Sequence, residues 1–344
     1  MNKPPTMKDV ANAAQVSQAT VSYVINQSAA ISPQVRKKVT DAIEKLGYIQ
    51  NASAKSLKTR RTNTIGMIIP SIDSGYYSQM IRETEFFLKG NGYVMFLCST
   101  DYDPELERKY IKALIEQNVS GIIVGYGLVD PSVYRDVRYH EKNIIVMDDN
   151  VSGGLSAGGE SAIPSVEVNN IEGGKIAASH LLDISEKKIC FASEPLFNRS
   201  LQNRFEGFRI GIKERGYSGD KWCSIIEQKQ YNKAEMGYNI GAKILLNRDI
   251  DAVFATSDNL AYGIVQILLE YRKRIPKDIA IMGYDNIPLA QYMTPKLSTI
   301  SQPIREVAQN AVAELIGVIE NKAFDFIREP FNPTLIIRNS TIKI

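Results

Sequence analysis

The chain has 344 residues, 44% hydrophobic and 23% charged, with a formal net charge of +3. That length predicts two or three domains, and that composition excludes a collagen, a coiled-coil rod and a mostly disordered chain. No apolar run reaches the ~18–20 residues needed to span a bilayer. The opening Met1-Asn2-Lys3-Pro4-Pro5-Thr6 lacks the apolar core of a secretory signal. Cys98, Cys190 and Cys223 are widely spaced in strand-like runs. They read as buried free thiols in a reducing cytoplasm, not as a disulfide framework or a zinc site. His140 and His180, the two histidines, leave little scope for histidine-based chemistry.

Charge is uneven. Residues 1–62 hold ten Lys/Arg against three Asp/Glu, a net +7, whereas the remainder holds 31 basic and 35 acidic residues. A small basic head on a mildly acidic body suggests a head that meets a polyanion; the bland alternative is a solvated basic face. In the head, Thr6 can cap a helix, with Asp9 completing a capping-box variant, and Met7, Val10, Ala11 and Ala14 mark one buried face. Ser17 can cap a second helix with Val21, Val24 and Ile25 inward. Ser32-Pro33 starts a third, with Val35, Val39, Ala42, Ile43 and Leu46 inward and Gly47 as its stop. Two short helices joined by a tight turn and braced by a third form a helix-turn-helix unit. Its second helix would put Gln18 and Ala19, then Ser22 and Tyr23, against base edges in the major groove. Gln pairs bidentately with adenine and Ala touches a thymine methyl. Thr20, Ser22, Asn26 and Ser32 suit phosphate oxygens.

Residues 49–62 stand apart. Asn51 can cap Ala52–Lys58, a segment too short to be stable alone in water. It reads either as an inert linker or as a helix that forms on DNA, with Leu57 wedged into a widened minor groove.

From Thr64 onward, apolar runs alternate with helical stretches. Strands are expected over 65–69, 94–98, 121–124, 144–147, 188–192, 222–226, 252–255 and 279–283. Helices are expected over 77–89, from Asp103, and over 199–215, 234–246 and 259–271. This alternation predicts parallel sheets covered on both faces, and about 280 residues of it suggests two such units. Residues 151–165, rich in Gly, Ser and Ala, are expected to be a mobile loop. Ligands of open parallel sheets sit beyond the carboxyl ends of strands. Asp148, Asp149, Ser257, Asp258 and Asp285 occupy such positions, although each Asp could be a helix cap or a structural hydrogen bond, and Asp258 fits a cap best. No phosphate-binding loop, dinucleotide fingerprint or metal motif is present, so no enzyme activity and no cofactor are expected.

Thr6-Met7-Lys8-Asp9-Val10-Ala11, Val16 through Asn26, Leu46-Gly47-Tyr48 and Asn51 through Leu57 resemble the head and hinge of the lactose-repressor/galactose-repressor (LacI/GalR) family. Arg204-Phe205-Glu206-Gly207-Phe208, Thr256 through Gly263, Ile281 through Asn286 and Leu297 through Ile300 resemble that family's core, which is similar to periplasmic sugar-binding proteins. The resemblance covers essentially all of residues 6–344. It implies an α/β chain: a helix-turn-helix head (1–48), a hinge helix (49–62) and a core of two doubly wound parallel sheets. The core subdomains would be 63–164 plus 302–329 and 165–301 plus 330–344. It further implies that Gln18, Ala19 and Tyr23 face bases and that Ala54 and Leu57 enter the minor groove. Arg204 and Asp285 would grip sugar hydroxyls, Asp148 and Ser257 would add contacts, Tyr76 and Tyr77 would offer aromatic walls, and Tyr231 is the candidate for a further aromatic. The implied protein is a cytoplasmic homodimeric regulator, a repressor of carbohydrate-utilisation genes, binding a palindromic operator under control of a sugar-type effector. The alternative within the family is control by a protein corepressor docking on the helix Val307–Glu320. Four positions depart from the family pattern: Gln15 stands where Gly is usual, Tyr23 for Arg, Gln50 for Pro and Lys55 for Arg. Asn169 also replaces a frequent Asp.

The wedge reading makes Leu57→Ala weaken operator binding far more than binding to random duplex. Equal losses in a paired anisotropy titration would overturn it.

Overall fold

A computed structural model describes residues 4–26, 30–48, 62–127, 133–134, 137, 143–147, 163–227, 232–322 and 326–342. The chain divides into two compact units, Met1–Thr62 and Asn63–Ile344.

The described residues of the first unit form three helices, α1 (Met7–Ala14), α2 (Gln18–Asn26) and α3 (Pro33–Leu46). Thr6 and Asp9 form a full capping box: the Asp9 carboxylate accepts from the Thr6 backbone N–H at 2.8 Å, and Thr6 Oγ1 accepts from Asp9 N–H at 3.3 Å. Ser17 Oγ accepts from Thr20 N–H at 3.1 Å to start α2, and Ser32 caps α3 ahead of Pro33. Val10, Val21 and Val39, one from each helix, are fully buried at the centre. The turn between α1 and α2 ends α1 at Gln15 in the left-handed conformation (φ 55°, ψ 45°). The turn geometry usual for glycine is therefore kept by a residue with a side chain, at a conformational cost of about 1 kcal/mol.

The second unit holds two sheets. The first has the order β2-β1-β3-β4-β5, all parallel, from β1 (Thr64–Ile69), β2 (Val94–Ser99), β3 (Gly121–Val124), β4 (Asn143–Met147) and β5 (Ser165–Val166). Both faces of β1, β3 and β4 are covered, so these strands read as continuous apolar runs, whereas the edge strand β2 is largely exposed. Ile65, Met67 and Ile69 face α4 (Gly75–Gly90) and α10 (Ile304–Glu320), while Ile68 faces α5 (Pro104–Glu116). The second sheet has the order β11-β10-β9-β8-β6-β7, from β6 (Lys188–Ser193), β7 (Trp222–Ile226), β8 (Ile250–Ala255), β9 (Ala280–Asp285), β10 (Ser298–Ser301) and β11 (Thr334–Ile336). It is parallel except for β10 with β11. Ile189, Phe191, Ala252 and Phe254 face α6 (Asn170–Ile184) and α7 (Arg199–Glu214). Cys190, Ala192, Val253 and Ala255 face α8 (Lys233–Leu246) and α9 (Asp258–Glu270).

The helices of each pair, α6 with α7 and α8 with α9, meet backbone to backbone. A methyl group on Gly207 would overlap the Ile171 carbonyl, and one on Gly263 would overlap the Ala234 carbonyl. The chain passes between the two lobes three times: after β5, at Gln302–Pro303, and between α10 and β11. A bridge between Val168 and Phe331 ties the first and third crossings together.

Several expectations are revised. Ser165–Val166 pairs with β4, so the first lobe runs two residues past the expected break at 164/165, and β5 takes the end of the segment expected to be a loop. Helix α6 and strands β10 and β11 were not anticipated as elements. Of the cysteines only Cys190 is buried; Cys98 and Cys223 are half-exposed, and Cys190 and Cys223 are register partners despite their distance in sequence. Asn51, Ala54 and Leu57 of the hinge lie outside the described residues, as do 151–162 of the expected loop.

Gln15→Gly relieves about 1 kcal/mol of left-handed strain and is expected to stabilise the head by about 0.5 kcal/mol, net of the extra freedom it gives the unfolded chain. Thermal unfolding of the two proteins checks this; an unchanged or lower midpoint would contradict it.

Candidate nucleic-acid face and effector cleft

On the head, Gln18, Ala19, Tyr23 and Asn26 are exposed along α2, and Thr20 and Ser22 are half-buried beside them. Tyr23 is 46% exposed, a large aromatic that the head core does not use. Asn26 Nδ2 donates to the Ser22 carbonyl at 2.8 Å and to Ser22 Oγ at 3.2 Å, which holds these two groups together at the end of the helix. Ser32 Oγ accepts from Val35 N–H at 3.5 Å. The surface is thus an exposed helix of short polar groups and one aromatic. Arg36, Lys37 and Lys38 on α3 add positive charge to the same unit.

The cleft between the lobes of the second unit is part-open and spans about 430 Å³, open solvent at its mouth included. From the first lobe it is lined by Ser74, Tyr76 and Tyr77 at the start of α4, by Tyr126 after β3, and by Gln302 in the second crossing. The second lobe contributes Glu194 after β6, Asn198, Ser200, Leu201 and Arg204 around the start of α7, Lys233 on α8, Ser257 after β8 and Asp285 at the end of β9. These second-lobe positions lie at or beyond the carboxyl ends of strands, as open parallel sheets require. The structure therefore brings Tyr76, Tyr77, Arg204, Ser257 and Asp285 to one cavity. Asp148 and Tyr231 lie outside the described residues.

Arg204 is buried, and its charge is met on three sides. Nε donates to Asn170 Oδ1 at 2.8 Å, Nη1 donates to the Thr256 carbonyl at 2.8 Å, and the guanidinium carbon sits 3.7 Å from the centre of the Tyr284 ring. Such a fork is fixed before any ligand arrives. Asp285 has φ 111°, a strained backbone for a residue with a side chain, and accepts from Gln302 Nε2 at 2.7 Å across the crossing. Strain of this kind persists only where the surroundings over-determine it.

Here the surroundings include Asp258. Its carboxylate accepts from Ile287 N–H at 2.8 Å and from Thr299 Oγ1 at 2.6 Å, so it staples the turn after β9 to β10. Burial first, then the charge of Asp285, raises its pKa well above the ordinary carboxylate range. The cap of α9 is Ser257, whose Oγ accepts from Leu260 N–H at 3.3 Å, so Asp258 is a buried cross-link and not a cap. Asn169 caps α6 by accepting from Glu172 N–H at 3.0 Å, and its Nδ2 donates to Asn332 Oδ1 at 2.9 Å. The second contact needs an amide donor, which an Asp would lack.

Sequence reasoning missed Glu194, Asn198 and Lys233. Lys233 Nζ donates to Glu194 at 2.6 Å. Burial acts to lower the Lys233 pKa, but Glu194, with Tyr102 and Asp285, outweighs it and the net shift is upward, so Lys233 stays charged. The only sequence signal was Asn232, a good cap immediately before it. The helix considered for a protein partner, α10, buries Ile304, Val307, Ala308, Ala311, Val312 and Leu315 in the first lobe, and its exposed Arg305 is paired with Glu83 at 2.7 Å.

Comparison with known proteins agrees with both units. Residues 6–51 match the family model of bacterial regulatory proteins, lacI family, and residues 178–341 match that of the periplasmic binding protein-like domain. The chain is 34% identical over 343 residues to the HTH-type transcriptional repressor PurR of Vibrio vulnificus, covering 98% of this chain and 99% of that protein. It is 32% identical to the ribose operon repressor of Escherichia coli K12, covering 97% and 99%. A lac repressor dimer bound to operator and an anti-inducer shares the fold at TM-score 0.84 over 99% of this chain and 100% of that one, at 24% identity. A LacI family regulator from Enterococcus faecium with bound ribose superposes at TM-score 0.71 and 28% identity, covering 81% of this chain and 98% of that one. A helix-turn-helix head followed by a two-lobed periplasmic-binding-type core defines a class of bacterial DNA-binding regulator. The chain belongs to the LacI family of transcriptional regulators. Among the described residues no helix is long and apolar enough to cross a membrane.

Asp258→Ala leaves the buried Ile287 N–H without its acceptor and is expected to cost about 1–3 kcal/mol in urea unfolding. Because the folded-state pKa is raised, the contribution of Asp258 is greatest below its unfolded value of about 4 and is lost as pH rises through the folded value. The deficit of the variant should therefore be larger at acidic than at alkaline pH; the reverse order would refute the assignment.

Proposed function

We propose that the chain is a repressor of carbohydrate-utilisation genes. It binds a near-palindromic operator as a homodimer, with affinity set by a sugar-type effector in the cleft. The observation that carries the effector reading is Arg204. It is a buried guanidinium fixed by Asn170, Thr256 and Tyr284 at the wall of a cavity that also holds the Asp285 carboxylate. A guanidinium supplies donors in a set plane and a carboxylate accepts O–H donors, which suits vicinal hydroxyls. Tyr76 and Tyr77, edge to face at 5.1 Å, offer apolar aromatic surface for the carbon face of a ring. Asp148 and Tyr231 are assigned to the same site from the family resemblance alone.

Effector binding favours one separation of the lobes. If operator binding favours another, the two are linked by a coupling free energy of about 1–3 kcal/mol, which is about 5–150-fold in operator affinity. Gln18, Ala19 and Tyr23 would read bases, Thr20, Ser22, Asn26 and Ser32 would position the head on phosphates, and Asn51, Ala54 and Leu57 would form the hinge. Dimerisation is supported by the open edge of the first sheet. There β2 exposes Val94, Phe96 and Leu97, with Phe86 of α4 also exposed. An apolar edge strand of this kind is a pairing surface, and a two-fold dimer demands a two-fold operator.

The test is selection of sites from a random duplex pool, followed by anisotropy titration with pentoses, hexoses and their phosphates. A palindrome whose affinity changes with one sugar is expected, and Arg204→Ala should keep operator binding while losing the response. No enriched site would overturn the DNA reading; indifference to every sugar, or an unchanged response in the variant, would overturn the effector reading.

A further inference from the structure

Cys190 on β6 and Cys223 on β7 are direct register partners in a parallel pair of strands. Register partners project to the same face of a sheet, and neighbouring strands lie about 4.8 Å apart. That spacing falls within the ~4.4–6.8 Å window of Cα separations found across disulfides. Cys190 is buried in the core beneath α8 and α9 and Cys223 packs against the same core, and each thiol is the largest influence on the other's ionisation. Cys190 is buried, whereas Cys223, on the edge strand, is half-exposed. The pair thus joins a half-exposed cysteine on an edge strand to a buried one on the strand behind it.

We propose that Cys190 and Cys223 are a peroxide-sensitive dithiol in which Cys223 is the sulfur attacked first and Cys190 the resolving partner, giving a reversible cross-strand disulfide. This site is separate from the effector cleft and stands whether or not the cleft takes a sugar.

The electrostatics support that order. The interaction with Cys190 lowers the Cys223 pKa; burial opposes it, the charge of Lys188 adds to it, and the net direction is downward. A lowered pKa raises the thiolate share of Cys223, the form that reacts. Cys98, also half-exposed, has its pKa raised by burial and is an internal control. In the first step the Cys223 thiolate attacks one oxygen of a hydroperoxide. The O–O bond breaks, a sulfenic acid forms, and the other oxygen leaves with a proton, as water when the oxidant is hydrogen peroxide. In the second step the Cys190 sulfur attacks the sulfenic sulfur. The S–O bond breaks, and hydroxide leaves as water with the Cys190 proton. Two thiols lose two electrons and one hydroperoxide gains them. Reduction by an external dithiol reverses the link by thiol–disulfide exchange.

The sole tryptophan, Trp222, is the chain neighbour of Cys223, which gives an optical readout. The full chain is treated with hydrogen peroxide at neutral pH, then alkylated and mapped without reductant. Expected are loss of two hydrogen atoms from the intact mass, a Cys190–Cys223 linked peptide, and quenching of Trp222 emission that dithiothreitol restores. Cys223 should be consumed about 10-fold or more faster than Cys98. In Cys190→Ser the link cannot form, and a sulfenic acid on Cys223 should be trapped by dimedone. Both thiols remaining alkylatable, Cys98 oxidising first, or a link only between chains would each overturn the proposal, and the wild-type map alone decides between these outcomes.

Discussion

The buried guanidinium of Arg204 is the constraint around which the second lobe is arranged. Taking a full charge out of water costs several kcal/mol unless every side of it is met. Here it is met by an amide from the start of α6, a carbonyl from the end of β8 and an aromatic face from β9. Asn170, which accepts from Arg204, also accepts from Tyr284 Oη at 3.0 Å and donates to the Val168 carbonyl at 3.2 Å. Val168 lies in the first crossing and is bridged to Phe331 in the third. A single run of hydrogen bonds thus leads from the wall of the cleft to the backbone that joins the lobes.

The Asp285 end of the same lobe is built on a different principle. Asp285 is held at φ 111° and Asn286 at φ 53°. The turn that follows is anchored by Asp258, and Asn286 Oδ1 accepts from Arg338 Nη2 at 2.7 Å. Arg338 also donates to the Leu297 carbonyl at 2.7 Å. One element of the lining is a cation stabilised by dipoles. Another is a strained carboxylate carried by a buried staple. Lys233 and Glu194 line the same cleft as an ion pair of their own, so the formal charges of Arg204, Lys233, Glu194 and Asp285 cancel.

Much of this architecture is legible in the sequence, for identifiable reasons. Strands β1, β3, β4, β6 and β8 are buried on both faces, so they stand out as unbroken apolar runs. Thr6, Ser17, Ser32 and Gly47 mark helix ends by local chemistry alone. Helix α6 was missed because Gly173 and Gly174 look like breakers; they are there because Gly174 lies against the Arg204 carbonyl and the Phe208 amide, a tertiary contact with no local trace. Asp258 looked like a cap because it precedes a helix, but the hydroxyl one residue earlier took that role. Glu194 and Lys233 are 39 residues apart and meet only through the fold. The same holds for Cys190 and Cys223, whose adjacency is created by the pairing of β6 with β7. Of the site residues, those at strand ends could be found from sequence, and those whose position depends on a helix start packed against another strand could not.

The glycine contacts within the two helix pairs of the second lobe have a mechanical consequence. Helices in backbone contact cannot slide without collision, so this lobe has almost no shear mode of its own. Motion relative to the first lobe is then rigid-body motion. The bridge from Val168 to Phe331 pins two crossings to each other, and Gln302–Pro303 provides the third. Two fixed points define an axis, so translation is suppressed and rotation remains. Displacement under rotation grows with distance from the axis. A change too small to register beside the crossings becomes a larger stroke at the far rim of the lobe, and the stiffness contributed by glycine is what keeps that stroke from being absorbed along the way.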